Sequence, residues 1–370
     1  QAKQASLDRQ VAIKVLKTLS EQAKKKLSTI QASGAIEDRK FRFTREALIT
    51  ARLEHPNIIP IHDFGMDAQG VQFVSMKLIQ SLSWHEEITE NSIERNIEIF
   101  MDVCDAMRYA HSQNIIHRDL KPQNVMVGAF GEVLVIDWGI AVDKSSSPAG
   151  FEAGGSSKWI APEAARHYQV HGKLKAKRKR LEDKQQQTSA DGEEIAELQQ
   201  EVSRLEEAED RHSREIDQAV DIYGLGAILF QIATRMPPHT ATSTSNDSES
   251  SKAQLLFAEI RMSLKGRFID HEITDPLRLA LIDIASRAMA MNPRERHATV
   301  EALQQEIRSF QTQIQSRKLA KRGLVELKAA RDGKSRENHG TTNENPRKTM
   351  EKPGKTRGKP RKIKGKPWNN

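Results

Sequence analysis

The sequence predicts an α+β fold in two lobes, a small β-rich lobe over residues 1–80 and a larger helical lobe over residues 81–310. Three observations carry this expectation. Strand-like β-branched and apolar runs cluster before residue 80. An amphipathic pattern with helical spacing runs over residues 93–111. Residues 222–234 are almost wholly apolar, the mark of a helix buried on all sides.

In chain order, residues 11–16 (VAIKVL) have the β-branched density of a strand. Residues 24–53 are polar and acquire helical spacing. They stop at His55-Pro56, because proline pushes the residue before it out of the helical region. Residues 58–64 and 71–78 are strand-like. Residues 125–127 and 133–136 form a short strand pair around Gly128 and Gly131. After Glu163 the chain turns helical. Two stretches are expected to be inserted or disordered: the Ser/Thr-rich residues 240–252 and the Lys/Pro/Gly-rich residues 333–370. Residues 311–370 are thus expected to form a helix followed by a disordered basic tail.

Of the 370 residues, 37% are hydrophobic and 29% charged, enough for a core with much charge left at the surface. The single cysteine, Cys104, excludes a disulfide framework and suits a reducing cytosol, so the chain is expected to be cytoplasmic. Cys104 follows Ile97 and Met101 at helical spacing, the position of a small buried hydrophobe. No apolar run approaches the ~20 residues that span a bilayer. The net charge is +8, yet residues 331–370 alone hold 13 Lys/Arg against 4 Asp/Glu. The basicity therefore belongs to the tail, and the remainder is close to neutral. Residue 1 is Gln, so a fragment of a longer product is expected.

The chemistry concentrates in a few short motifs. His117-Arg118-Asp119-Leu120-Lys121-Pro122-Gln123-Asn124 follows the amphipathic helix. It offers a carboxylate, a cation two residues on and an amide three residues beyond that. Asp137-Trp138-Gly139 comes 13 residues after Asn124, behind an apolar strand. Lys14 lies on the first predicted strand and Glu46 on the predicted helix. Ala161-Pro162-Glu163, Asp221 in Asp221-Ile222-Tyr223-Gly224-Leu225-Gly226 and Arg296 in Asn292-Pro293-Arg294-Glu295-Arg296 complete the set.

In this order the motifs resemble the Ser/Thr protein kinases, in the style of bacterial kinases of the eukaryotic type, over roughly residues 1–310. The resemblance implies a bilobal kinase-like fold. It also implies transfer of the ATP γ-phosphoryl group to Ser/Thr hydroxyls of protein substrates, with ATP and Mg²⁺ as cofactors. By the same resemblance Asp119 is the base and Lys121 neutralises charge on the phosphoryl in flight. Asn124 and Asp137 bind Mg²⁺, and Lys14 reaches the phosphates with Glu46 as its ion-pair partner. Ala12 and Met126 cover the adenine faces, and Met76-Lys77-Leu78 bonds its edge through the backbone, with Met76 and Leu78 at the contacts. Glu163 pairs with Arg296, Asp221 braces the loop around Asp119, and Ser156 stands where the family has a threonine touching the catalytic Asp and Lys. Trp138 replaces the usual Phe.

Two departures stand out. The family's Gly-rich loop should precede Val11, and the chain begins too late to hold it. Truncation before that loop is complete is the expectation, with weakened ATP binding. Between Glu163 and Asp221 lies an insertion over residues 172–214. Its first half is basic and its second acidic, and Ile195, Leu198, Val202 and Leu205 fall at the 3-4-3 spacing of a coiled-coil seam. An antiparallel hairpin is expected, with a turn over residues 188–192 and with Leu174 and Leu181 on the seam. It could recruit a coiled-coil partner.

Arg118 stands where the family reads a phosphate on the activation segment, which makes Ser145, Ser146 and Ser147 candidate acceptors. Residues 356–362 (TRGKPRK) loosely resemble a minor-groove hook, so weak nonspecific nucleic-acid binding is a second partner expectation. An alternative reading is a pseudokinase or scaffold acting through the coiled-coil insert and basic tail. The absent Gly-rich loop supports it; Lys14, Asp119, Asn124 and Asp137 oppose it. Small-molecule phosphotransfer is disfavoured by Lys121 and by the Ala-Pro-Glu motif.

Overall fold

Val11 and Val74 are buried on opposite faces of an antiparallel sheet that forms the floor of the N-terminal lobe. The computed structural model describes residues 2–4, 8–17, 29–80, 82–145, 154–186, 192–239 and 273–337. Ser146, Ser147, the Ser/Thr-rich run from residue 240, residues 188–191 of the hairpin turn expected over 188–192 and the hook-like residues 356–362 lie outside the described residues, while Gly192 already belongs to a helix. The sheet holds β1 (Ala2–Gln4), β2 (Arg9–Val15), β3 (Ile61–Met66) and β4 (Gln72–Lys77) in the order β1-β2-β4-β3. Helix α1 (Thr29–Ala51) crosses it and buries Phe43 and Ala47, four residues apart and so on one face, against Val74.

The third strand begins at Ile61, not at residue 58 as the apolar run suggests. Ile58 bridges to Val135, and Ile59 donates its backbone N–H to the Val135 carbonyl at 3.1 Å. Both isoleucines are buried, Ile58 in the other lobe's core, and their backbone pairs with Val135, so they leave the sheet.

The C-terminal lobe is helical. Helix α2 (Trp84–Glu87) leads to α3 (Ile93–Ser112), whose Ser92 cap accepts from the Arg95 N–H. Short strands follow: β5 (Ile115–Ile116), β6 (Val125–Val127), β7 (Val133–Val135) and β8 (Val142–Asp143). They pair as β5-β8 and β6-β7, with a 3₁₀ turn at Pro122–Asn124 before β6. Helix α4 (Pro162–Gln185) and helix α5 (Gly192–Glu215) precede α6 (Ala219–Thr234), whose residues are buried from Val220 to Ala233. Helix α7 (Pro276–Ala288) packs on α6 so tightly that a Cβ at Gly226 would lie 2.7 Å from the Ala288 Cβ. Only glycine allows that approach.

The insertion is not a separate appendage. Its first arm is the same helix, α4, that starts at the Ala-Pro-Glu motif. Its second arm, α5, runs antiparallel to the first. Lys184 meets Glu194 at 2.7 Å near the tip, Arg178 meets Glu206 at 2.8 Å, and His171 meets Glu209 at 2.5 Å near the base; Lys177 also pairs with Glu201. Leu174, Leu198 and Val202 are buried between the arms, with Leu181, Ile195 and Leu205 half-buried.

Helix α8 (Val300–Glu337) runs through Gly333, where the composition suggested disorder. Its first part buries Leu303, Ile307, Phe310 and Ile314 in the core. The chain divides after Ile314 into two compact units. In the second, Leu319, Leu324, Val325 and Leu327 are exposed. Among the described residues no single helix is long and apolar enough to cross a membrane.

One ion pair holds the helical lobe together. Arg296 forms two bonds to Glu163, at 2.6 and 2.8 Å, and donates to the carbonyls of Ala290 and Ala219. Its guanidinium lies 5.0 Å from the Tyr223 ring centroid. Both partners are buried, so removing one strands the other's charge. Arg296→Ala is expected to lower unfolding free energy by roughly 3–5 kcal/mol, measured by urea denaturation.

His167, on α4, is fully buried, and neither ring nitrogen has a hydrogen-bond partner among the described residues. Burial, then the charges of Arg118, His171 and His212, push its pKa down to about 4. Unfolded His167 takes up a proton near pH 6.5, which the folded form resists. Its neutral burial is therefore fully tolerated above that pH, and stability falls as pH drops from about 6.5 towards 4. The native chain should lose roughly 2 kcal/mol more than His167→Leu between pH 7 and pH 4, measured by denaturant titration at each pH.

Candidate active site

The N-terminal lobe supplies the first half of the site through strand register. Ala12 faces Met76 and Lys14 faces Val74 across the β2–β4 pair. Residues two apart on a strand share a face, so all four point to one side. There they line a cavity of about 390 Å³. Leu78, Ile61 and Phe43 complete the N-lobe wall, and Met126, Ile136 and Asp137 come from the C-terminal lobe. The lining is mostly apolar, with Lys14, Glu46 and Asp137 among its few charges.

Lys14 Nζ lies 2.5 Å from Glu46 Oε1 and 3.6 Å from Asp137 Oδ1. Burial pushes the Glu46 carboxyl above its ordinary range, although Lys14 pulls the other way; the Asp137 charge adds to the rise. Asp137 itself is about half exposed and has the left-handed φ of +62°. A Cβ on Gly139 would come 3.2 Å from Asp137 Oδ1 and 3.4 Å from Glu46 Oε2, so a side chain there would crowd both carboxylates. Trp138, between Asp137 and Gly139, is buried with its ring 4.6 Å from that of His117.

The second half is a loop drawn around Asp119. Its Oδ1 accepts the Ser156 N–H at 2.7 Å and its Oδ2 accepts Lys121 Nζ at 2.7 Å. Lys121 also reaches Ser156 Oγ at 2.6 Å. The Asn124 amide donates to the Asp119 carbonyl at 2.8 Å and to Oδ2 at 3.2 Å. The Asn124 side-chain oxygen is not used in these bonds.

Beneath the loop lies Asp221, fully buried. It accepts the backbone N–H of His117 at 2.8 Å, that of Arg118 at 2.7 Å, and His111 Nε2 at 2.8 Å. Burial alone would raise its pKa; the bonds and charge of His111, with those of His117 and Arg118, outweigh it and hold the carboxyl below the ordinary value. Arg118 is thereby kept at a φ of +71°.

The structure brings Ala12, Lys14, Glu46, Met76, Leu78, Met126 and Asp137 to one cavity, and Asp119, Lys121, Asn124 and Ser156 to one cluster. The sequence reading missed three contributors. His111 reaches Asp221 across 110 residues. Arg45 donates to the Ala141 carbonyl at 3.2 Å, and Arg52 pairs with Asp143 at 2.7 Å. No spacing signal marks any of these, because each spans about a hundred residues. Ser145, the described member of the expected phosphoacceptors, donates its N–H and hydroxyl to Asp143 Oδ1.

Comparison with known proteins agrees with this geometry. Residues 1–175 match the family described as protein kinase domain. That match stops where α4 enters the insertion. The chain is 27% identical over 285 residues to serine/threonine-protein kinase PknD of Chlamydia trachomatis serovar D, covering 73% of this chain and 27% of that one. It is 41% identical over 130 residues to a probable serine/threonine-protein kinase PknB of Lactococcus lactis, covering 34% and 21%. Over 124 residues it is 36% identical to PknD of Protochlamydia amoebophila, covering 30% and 12%. The chain thus spans about a quarter of the PknD of Chlamydia trachomatis. On its motifs, its fold and these comparisons, residues 1–175 belong to the protein kinase domain family, and the relatives the chain resembles are bacterial serine/threonine-protein kinases.

Proposed function

We propose that this chain transfers the γ-phosphoryl group of ATP to Ser/Thr hydroxyls of protein substrates. The observation that carries the proposal is the Asp119 carboxylate. It is held by Ser156, Lys121 and Asn124, in a chain whose two lobes also line a cavity carrying Lys14, Glu46 and Asp137.

The residues fit the groups such a reaction needs. Ala12 and Met126, one from each lobe, suit the faces of a flat base, and the backbone of Met76 to Leu78 suits its polar edge. Lys14, fixed by Glu46, supplies a cation for phosphate oxygens. Asn124 and Asp137 supply oxygen donors for Mg²⁺. Among the described residues no cluster of three or more His, Cys, Asp or Glu could cage a metal, which suits an ion that keeps waters and binds through few protein oxygens. When bound, Mg²⁺ neutralises charge on the phosphate oxygens.

Asp119 orients the incoming hydroxyl and takes its proton. Ser156 and Lys121 hold the carboxylate in one rotamer, so little reorganisation is needed. Lys121 Nζ then stands ready to offset charge on the moving phosphoryl group.

The proposal extends to partners. The hairpin over residues 172–214 already buries Leu174, Leu198 and Val202 within the chain, so a coiled-coil partner there would meet charged flanks. The Lys/Arg-rich residues 331–370 supply charge for weak, nonspecific nucleic-acid contact.

Transfer of ³²P from [γ-³²P]ATP to a generic basic protein tests the main reading. Asp119→Asn should lower kcat by about 10²–10⁴-fold, the range for loss of a general base. Equal transfer by both proteins would refute the assignment of Asp119.

A further inference from the structure

Helix α1 carries Glu46, so the Lys14–Glu46 pair is only as well placed as the helix. Its hold on the sheet is slight. Phe43 and Ala47 meet Val74, while Phe41 and Leu48 are exposed. Ile49 packs into the core of the other lobe, and two arginines, Arg45 and Arg52, add a polar hold. Seven residues apart, they lie on one helical stripe about 10 Å in length. Arg45 donates to the Ala141 carbonyl, and Arg52 Nη1 lies 2.7 Å from Asp143 Oδ2. Both acceptors sit just past Asp137-Trp138-Gly139.

These contacts close a ring. Lys14 pairs with Glu46, and the helix links Glu46 to Arg52. Arg52 pairs with Asp143, and six residues of chain lead back to Asp137, which lies 3.6 Å from Lys14. Asp143 is the firm end. Its side chain is 8% exposed, its backbone pairs with Ile115, and its other oxygen is held by Ser145. Burial would raise its pKa, but the bonds from Ser145 and Arg52 prevail and keep it ionised at neutral pH.

We infer that the Arg52–Asp143 pair is a latch that sets the position of helix α1, and through it the Lys14–Glu46 pair against Asp137. Arg52 and Asp143 are positioning residues: neither lines the cavity. The effect on transfer rests on the kinase reading; the effect on the helix does not. A latch also predicts that the two residues act as one unit, so removing both costs no more than removing either.

Two measurements on the full chain test this. In hydrogen exchange, Arg52→Ala and Asp143→Asn should each speed exchange of amides 44–51 about fivefold, the scale of one partly exposed ion pair. Arg52→Lys should stay within about twofold of the parent. In ³²P transfer with Mg-ATP and a generic basic protein, each single variant should lose about five- to tenfold in kcat/KM for ATP, and the double variant no more. Unchanged exchange in Arg52→Ala, or losses that multiply in the double variant, would overturn the latch. If the parent transfers no more than Asp119→Asn, the kinase reading falls, and the exchange measurement alone decides the latch.

Discussion

The buried carboxylate of Asp221 is the constraint on which the rest of the site depends. It lies on the apolar helix α6 and takes two backbone N–H groups from the loop that carries Asp119. Those bonds hold Arg118 at a positive φ, which costs a non-glycine residue about 1–3 kcal/mol. Each hydrogen bond to a charged acceptor contributes roughly 1.5–3 kcal/mol, and leaving either buried N–H unpaired would cost about as much. Two such bonds outweigh the strain. The loop is therefore set before any ligand arrives, with Asp119 turned towards Ser156 and Lys121.

The same lobe anchors its outer layers through a second buried charge pair, Glu163 with Arg296, at the start of α4. Because α4 continues unbroken from that anchor into the hairpin, the insertion is rigidly joined to the segment that follows Asp137. Lys144 adds to the join by donating to the Ile216 carbonyl, just past the end of α5, at 2.8 Å. The N-terminal lobe is held by lighter means. Its helix meets the sheet through a small cluster and reaches the other lobe through Ile49 and through arginines that are partly exposed. The difference in hold assigns rigidity to the Asp119 loop and adjustability to the Lys14–Glu46 pair.

Much of the fold was legible because the governing signals are local. The β-branched run at Val11, the amphipathic spacing over residues 93–111 and the apolar stretch ending at Thr234 each act within one element. Where the structure departs, a distant contact decides. Ile58 and Ile59 look like strand, but their backbone pairs with Val135 and Ile58 is taken into the C-lobe core. The site's residue types could be named because Asp119, Lys121 and Asn124 are neighbours on one loop. The residues that orient them could not. His111 and Arg52 are ordinary helix residues in the sequence, and only the fold puts a carboxylate opposite each. The charge pattern of residues 172–214 suggested two arms, but not that the first arm is an extension of the helix begun at Pro162.

The most direct measurement is steady-state phosphoryl transfer by Asp221→Asn. Asparagine keeps the shape but offers one acceptor oxygen, and its amide hydrogens would face a backbone N–H. The loop should lose its set conformation while the Lys14 cavity persists. The account predicts a fall in kcat of about 100-fold, the equivalent of some 3 kcal/mol, with KM for ATP within about threefold and an unchanged far-ultraviolet circular dichroism spectrum. A kcat within about threefold of the parent would contradict it.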